Sequence, residues 1–144
     1  MPRLARPEEA HAVRALVRAA YAPWIPVIGR EPGPMGDDYA ARIAAGEVWW
    51  YEGGEALCVL IEQPGALLLD NVAVAPAAQG RGLGQRLVAF ALEEARRRSL
   101  PAVTLYTHAR MEANIALYTR LGFRETHRAR EKGFDRVHMR REVA

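Results

Sequence analysis

Residues 77–98 read AAQGRGLGQRLVAFALEEARRR: three glycines within five positions, then a helical pattern. Glycine is costly in ordered backbone, so this cluster implies that the main chain itself is put to use. The preceding segment, ALLLDNVAVAP, is almost continuously apolar, which predicts a central strand covered on both faces. Leu83 to Arg98 follows as a helix, with Leu83, Leu87, Val88, Ala91 and Ala95 along one side. A strand, a glycine loop and a helix start together form an anion site, because the first helical N–H groups have no partners and carry partial positive charge. Without Cβ atoms, Gly80, Gly82 and Gly84 let a phosphate approach closely, and Arg81 can add a side-chain charge. The Walker pattern GxxxxGK[ST] is absent, and GxGxxG fails because Gln85 stands where its third glycine belongs.

The elements around this core alternate. Residues 3–6 suit a short strand, and Pro7 to Ala20 a helix with Glu8 and Glu9 at its positive end. YAPWIPVIGREPGPMGD is rich in proline and glycine and reads as a loop. Asp37 is positioned to cap a helix from Asp38 to Ala45, stopped by Gly46. VWWYEGGEALCVLIE predicts two strands joined at Gly53-Gly54, with Trp49-Trp50 packing a sheet face. PAVTLYT is a further strand, Met111 to Leu121 a short helix stopped by Gly122, and FRETHRAR and FDRVHMRREV pair around Lys132-Gly133. The chain of 144 residues therefore predicts one α/β (α+β) domain, residues 1–144, with a sizeable core.

Composition narrows the classes. Half the residues are hydrophobic, yet Asp70 and Asn71 interrupt the longest apolar run, so no membrane span is expected. MPRLARPEEAH has no apolar signal core, and cytoplasmic residence is the expectation. Cys58 stands alone, so neither a disulfide within the chain nor a CxxC metal site is expected. The net charge of +3 raises nucleic acid as a partner. Against it, Lys132 is the only lysine, and Glu125, Glu131, Asp135 and Glu142 interleave the densest arginine stretch. No nucleic-acid partner is expected.

VAVAPAAQGRGLGQRLV followed by NIALYTRLGF resembles the GNAT superfamily of N-acetyltransferases across residues 66–123. Its Q/R-x-x-G-x-G/A loop is matched by Gln79, Gly82 and Gly84, and its helix signature by Leu117-Tyr118 and Gly122-Phe123. The resemblance implies a mixed, mostly antiparallel sheet of about seven strands and about four helices, with splayed central parallel strands. It implies acetyl-coenzyme A as co-substrate, with no metal. The diphosphate would rest on the amides of Gly80, Arg81, Gly82, Leu83, Gly84 and Gln85, and the pantetheine arm along Val72, Ala73 and Val74. Many members carry an asparagine seven residues before the tyrosine. Met111 stands there, and Asn114, one turn later, becomes the candidate contact.

By the same resemblance Tyr118 protonates the leaving thiolate. The glutamate that some members use as base falls at Leu68, which cannot act. Asp70 projects to the same strand face and is the first candidate base, with His108 the second. A water chain is the third possibility. An amine acceptor would enter between the first two helices and the C-terminal hairpin, where Trp24, Arg30, Glu31, Met35 and Tyr39 are candidate contacts. Arg30 could hold an acceptor carboxylate and Glu31 an ammonium. A non-catalytic acyl-coenzyme A sensor is the alternative function, and a homodimer is a further expectation of the resemblance.

Overall fold

The computed structural model describes residues 2–51 and 53–144. Its strands are β1 (Arg3–Leu4), β2 (Val48–Trp50), β3 (Ala56–Gln63), β4 (Ala66–Val74), β5 (Ala102–His108), β6 (Arg124–Glu131) and β7 (Phe134–Glu142). They form one sheet in the order β1-β2-β3-β4-β5-β7-β6. Every neighbouring pair is antiparallel except β4 and β5, which run parallel. Among the described residues the α-helices are α1 (Ala10–Tyr21), α2 (Ile25–Ile28, a single turn), α3 (Tyr39–Ala44), α4 (Leu83–Arg97) and α5 (Glu112–Arg120).

Two apolar cores sandwich the sheet. Leu87, Val88, Ala91, Leu92 and Ala95 of α4 bury themselves on Cys58, Leu60, Leu67, Leu69, Val103 and Leu105. Each fully buried leucine or valine here contributes about 1.5–3 kcal/mol. On the other face, Val13 and Val17 of α1 and Tyr39 and Ile43 of α3 meet Val48, Trp50, Leu57, Val59 and Ala73. Consecutive side chains of a strand point to opposite faces, which separates the two tryptophans. Trp50 joins the α1 core, while Trp49 packs edge-on against Phe90 of α4 at 5.0 Å.

Two features of the central strands position the site. The parallel ladder between β4 and β5 is short: Leu67 pairs with Val103 and Leu68 with Thr104, and beyond these the strands diverge. The β3–β4 register also slips: Asn71 faces Val59 and Leu69 faces Leu60, leaving Asp70 without an opposite residue. This is a β-bulge, which turns a strand and re-aims its side chains. Its effect appears in the packing. Before the bulge Leu67 and Leu69 enter the α4 core; after it Val72 and Val74 pack against that core, and Ala73 faces α1.

Local structure departs from the sequence reading in three places. The segment expected to be a loop after α1 contains short 3-10 turns at Ala22–Trp24 and Gly33–Gly36, and α2 between them. Proline sits in the first turn of each, where its missing N–H costs nothing, and Gly29 at φ 89° ends α2. The cap of α3 is Asp38, whose carboxylate accepts from Ala41 N at 3.1 Å, rather than Asp37. Asp37 instead accepts from Arg42 Nε at 3.1 Å. The first helix begins as a 3-10 turn at Pro7–Glu9, because the Glu9 side chain folds back to Arg6 N at 2.8 Å.

Candidate active site

The glycine loop leads from β4 into α4. Gly80 (φ 85°) and Gly82 (φ 76°) hold the left-handed conformation that other residues avoid, with open space where a Cβ would stand. The first helical bond is Arg86 N to Gly82 O, so the amides of Leu83, Gly84 and Gln85 precede it. Gly84 lies in the first turn, where an added Cβ would touch Val72 and Val74 at 4.0 Å. The exposed Arg81 guanidinium pairs with Glu55 at 2.5 Å, and Gln79 Nε2 donates to Val74 O at 3.4 Å.

Main-chain groups also face the gap between β4 and β5. Ala75 N bonds Glu55 O across the β3–β4 ladder. Hydrogen-bonded pairs alternate along an antiparallel ladder, so Ala73 opposite Leu57 is also spent on β3. Val72 and Val74 then direct their N–H and C=O groups the other way, toward the gap. Side-chain donors confirm the direction: Gln79 reaches Val74 O, and Tyr21 Oη lies 3.3 Å from Val72 O. The three residues named from sequence therefore divide: Val72 and Val74 turn their main chain to the gap, their carbonyls met by Tyr21 and Gln79, and Ala73 turns its own to β3.

The cleft in this gap brings together Tyr21, Asp70, Asn71, Val72, Tyr106, His108, Asn114 and Tyr118. Asn114 and Tyr118 are one helical turn apart on α5 and line it side by side. Burial pushes the Tyr118 phenol up to about 12, so it keeps its proton throughout the neutral range. Met111 is buried against Ile28 and Phe134 and accepts a long contact from Thr107 Oγ1 at 3.7 Å.

Asp70, aimed by the bulge, accepts from Tyr106 Oη at 3.0 Å. Burial raises its pKa above the usual carboxylate range, against the opposing pull of that hydrogen bond and of Arg42 and Arg136. The Tyr106 phenol is itself raised, by burial first and then by the Asp70 charge. His108 lies edge-on to Phe134 at 6.1 Å, and its Nδ1 accepts from Arg110 N at 3.1 Å. Burial lowers its pKa. With Nδ1 engaged as an acceptor, the neutral ring carries its proton on Nε2.

Asn71 holds the cleft wall together. It is 3% exposed, accepts from Tyr21 Oη at 2.7 Å and donates from Nδ2 to Tyr39 Oη at 3.0 Å. Tyr39 in turn donates to Pro34 O at 2.5 Å. Met35 and Tyr39, expected as acceptor contacts, are thus core residues at 4% and 1% exposure. Glu31 pairs with Arg18 at 3.1 Å, and Trp24 packs beside Ile28. Arg30 lies over the Phe134 ring, 4.2 Å from its centre.

The sequence reading missed Tyr21, Asn71 and Arg136. An amide inside an apolar strand was a signal for Asn71; nothing local marks Tyr21 or Arg136. On the β6–β7 hairpin the arginines meet acids, as at Arg128–Glu125 (2.6 Å) and Arg130–Asp135 (2.9 Å). Among the described residues no helix is long and apolar enough to cross a membrane, and no group of three or more His, Cys, Asp or Glu could hold a metal ion.

The chain is similar to the mycothiol acetyltransferase of Nocardia farcinica, 46% identical over 66 residues, which are 46% of this chain and 22% of that protein. It thus spans under a quarter of the length of such relatives. Among solved structures it resembles the ribosomal-protein-S18-alanine N-acetyltransferase of Escherichia coli, with TM-score 0.76, 20% identity, and coverage of 100% of this chain and 94% of that one. It also resembles the PaiA N-acetyltransferase of Thermoplasma acidophilum in complex with coenzyme A, with TM-score 0.77, 13% identity, and coverage of 99% and 98%. At such identities these two likenesses speak for the seven-stranded fold. The family model described as acetyltransferase (GNAT) family matches residues 14–123, well over half of the sequence, and the chain belongs to that family.

Proposed function

We propose that residues 1–144 act as one N-acetyltransferase domain that moves an acetyl group from acetyl-coenzyme A to a primary amine. One observation carries this reading. The cleft where β4 and β5 part is lined by Asp70, Val72, Asn114 and Tyr118, and β4 leads on from it into the glycine loop and the unpaired first amides of α4. The residues suit such a co-substrate. Gly80 and Gly82 leave the loop backbone open to a diphosphate, and Val72 and Val74 offer a strand edge to an amide-bearing arm. When bound, acetyl-coenzyme A supplies a thioester carbonyl open to attack and a thiolate leaving group.

The chain's own groups then move two protons. The amine forms its N–C bond as the C–S bond breaks. Asp70 takes the proton that the nitrogen loses, and Tyr118 gives one to the departing sulfur. Asp70 suits the base role because burial raises its pKa while the Tyr106 hydroxyl holds it in place. His108 suits it less: its Nδ1 lone pair is engaged by Arg110 N, and Nε2 carries the proton. Asn114, beside Tyr118, is available to the coenzyme.

Thiol release from acetyl-coenzyme A, followed over a panel of primary amines, tests the proposal. Amine-dependent release is expected. Tyr118→Phe should lower kcat about 10²-fold or more while coenzyme A affinity stays within twofold. Coenzyme A binding without release for any amine would identify a sensor instead, and no binding at all would end the reading.

A further inference from the structure

Beyond Asp70 the cleft widens between residues 30–37 and the β6–β7 hairpin, and the charges on its walls are unevenly paired. Arg42 is spent on Asp37 and Glu47, both at 3.1 Å, and Glu31 on Arg18. What remains facing the space is Arg30, Lys132 and Arg136 on one side of the balance and Asp70 on the other. The Arg136 guanidinium lies 4.3 Å from the centre of the Tyr106 ring, the same tyrosine that donates to Asp70. Its side chain is only 15% exposed, yet its nearest carboxylate oxygen, on Glu131, is 3.5 Å away, longer than a charge-assisted hydrogen bond. Arg30, among the described residues, has no carboxylate within ion-pair distance and rests on Phe134.

The fold makes room for both cations. A Cβ on Gly133 would stand 2.6 Å from Arg30 Nη1, and one on Gly33 would stand 3.5 Å from Arg136 Nη2. Both guanidinium groups lie near Phe134, Arg30 at 4.2 Å and Arg136 at 5.8 Å from the ring centre. A planar fork only loosely engaged by Glu131 and mostly withdrawn from water, as at Arg136, is suited to a carboxylate. A half-buried carboxylate lining the same space, Asp70, is suited to an amine.

We infer that the acceptor is an amino-acid-like zwitterion: Arg136 and Arg30 hold its carboxylate while Asp70 faces its amine, a few bonds away. This rests on the acetyltransferase reading and narrows it. A peptide amine without a nearby carboxylate, or a polyamine, fits the cationic wall poorly. Lys132 at the mouth adds to the attraction of an anion and to the repulsion of a second ammonium.

The test uses matched acceptors: free amino acids, the same amino acids as C-terminal amides, and diamines of similar length. Thiol release should favour the free acid over its amide at least tenfold in kcat/KM. Arg136→Gln should reduce that ratio at least fivefold. Arg30→Gln, at an exposed position with little bearing on folding, should reduce it at least threefold. Amides or diamines used as well as the acids, or a ratio unmoved in Arg30→Gln, would overturn the inference and leave the acetyltransferase reading intact. If no amine releases thiol, calorimetric titration of the same pairs into the coenzyme A complex still decides it: tighter binding of the acids supports it, and equal binding overturns it.

Discussion

The two ends of the cleft are built from different materials. At the end proposed for the coenzyme the groups offered are main-chain amides, those of Val72 and Val74 on β4 and those of the glycine loop and the first turn of α4. At the acceptor end they are side chains: Tyr21 from α1, Asp70 and Asn71 from β4, Tyr106 from β5 and Arg136 from β7. Backbone placed by glycine tolerates many neighbouring side chains, so the first end can serve chains with unlike acceptors. The second end depends on who meets whom across the sheet. On the proposed function, it is there that specificity for the amine would be set.

Substitutions at the two ends should therefore differ in kind. The largest effect is expected at Asp70. Asp70→Asn keeps the shape and the contact from Tyr106 but cannot take a proton. It should lower kcat/KM about 10²–10⁴-fold at neutral pH with coenzyme A affinity retained. In the parent protein kcat/KM should fall as pH drops through the Asp70 pKa, which burial places above the ordinary carboxylate range. That acid limb should vanish in the variant. A limb of unchanged position would exclude Asp70 as the base.

Next in size is Asn71→Leu. It strips an acceptor from the half-buried Tyr21 and a donor from the buried Tyr39, and should cost about 1–3 kcal/mol of folding stability. Urea unfolding measures this directly. Because the network ties α1 and the Pro34 turn to β4, KM for the amine should rise more than that for acetyl-coenzyme A. An equal rise in both would show that the ends are not separable.

The smallest effect should come from the coenzyme end. Gly82→Ala meets no neighbour within 4 Å, so its cost is conformational, about 1–2 kcal/mol for a left-handed alanine. Coenzyme A should bind several-fold more weakly, by calorimetry, with the preference among amines unchanged. A shifted amine preference would break the division drawn between the two ends.

The same division explains what could be read from the chain. The glycine loop, α4, the central strand and the C-terminal hairpin were legible because each depends on nearby residues: left-handed φ at Gly80 and Gly82, an apolar stripe on α4, a turn at Lys132-Gly133. Asp70 stood out as a carboxylate within an apolar run. The segment after α1 was less legible, because prolines that break long helices also start short ones, as at Pro23, Pro26 and Pro34. Met35 and Tyr39 looked like ligand contacts because a proline- and glycine-rich stretch suggests exposure; packing buries them instead.

By itself the sequence determined the order of the strands and longer helices, the backbone anion loop and the family resemblance, since these follow from the conformational limits of single residues and their neighbours. Only the tertiary structure decided that β4 and β5 part after Leu68, that a bulge turns Asp70 toward Tyr106, and that Arg30 and Arg136 gather around Phe134. Those arrangements depend on register between strands and on contacts spanning many residues of chain, such as the 50 between Tyr21 and Asn71. No short window of sequence contains both partners of such a contact.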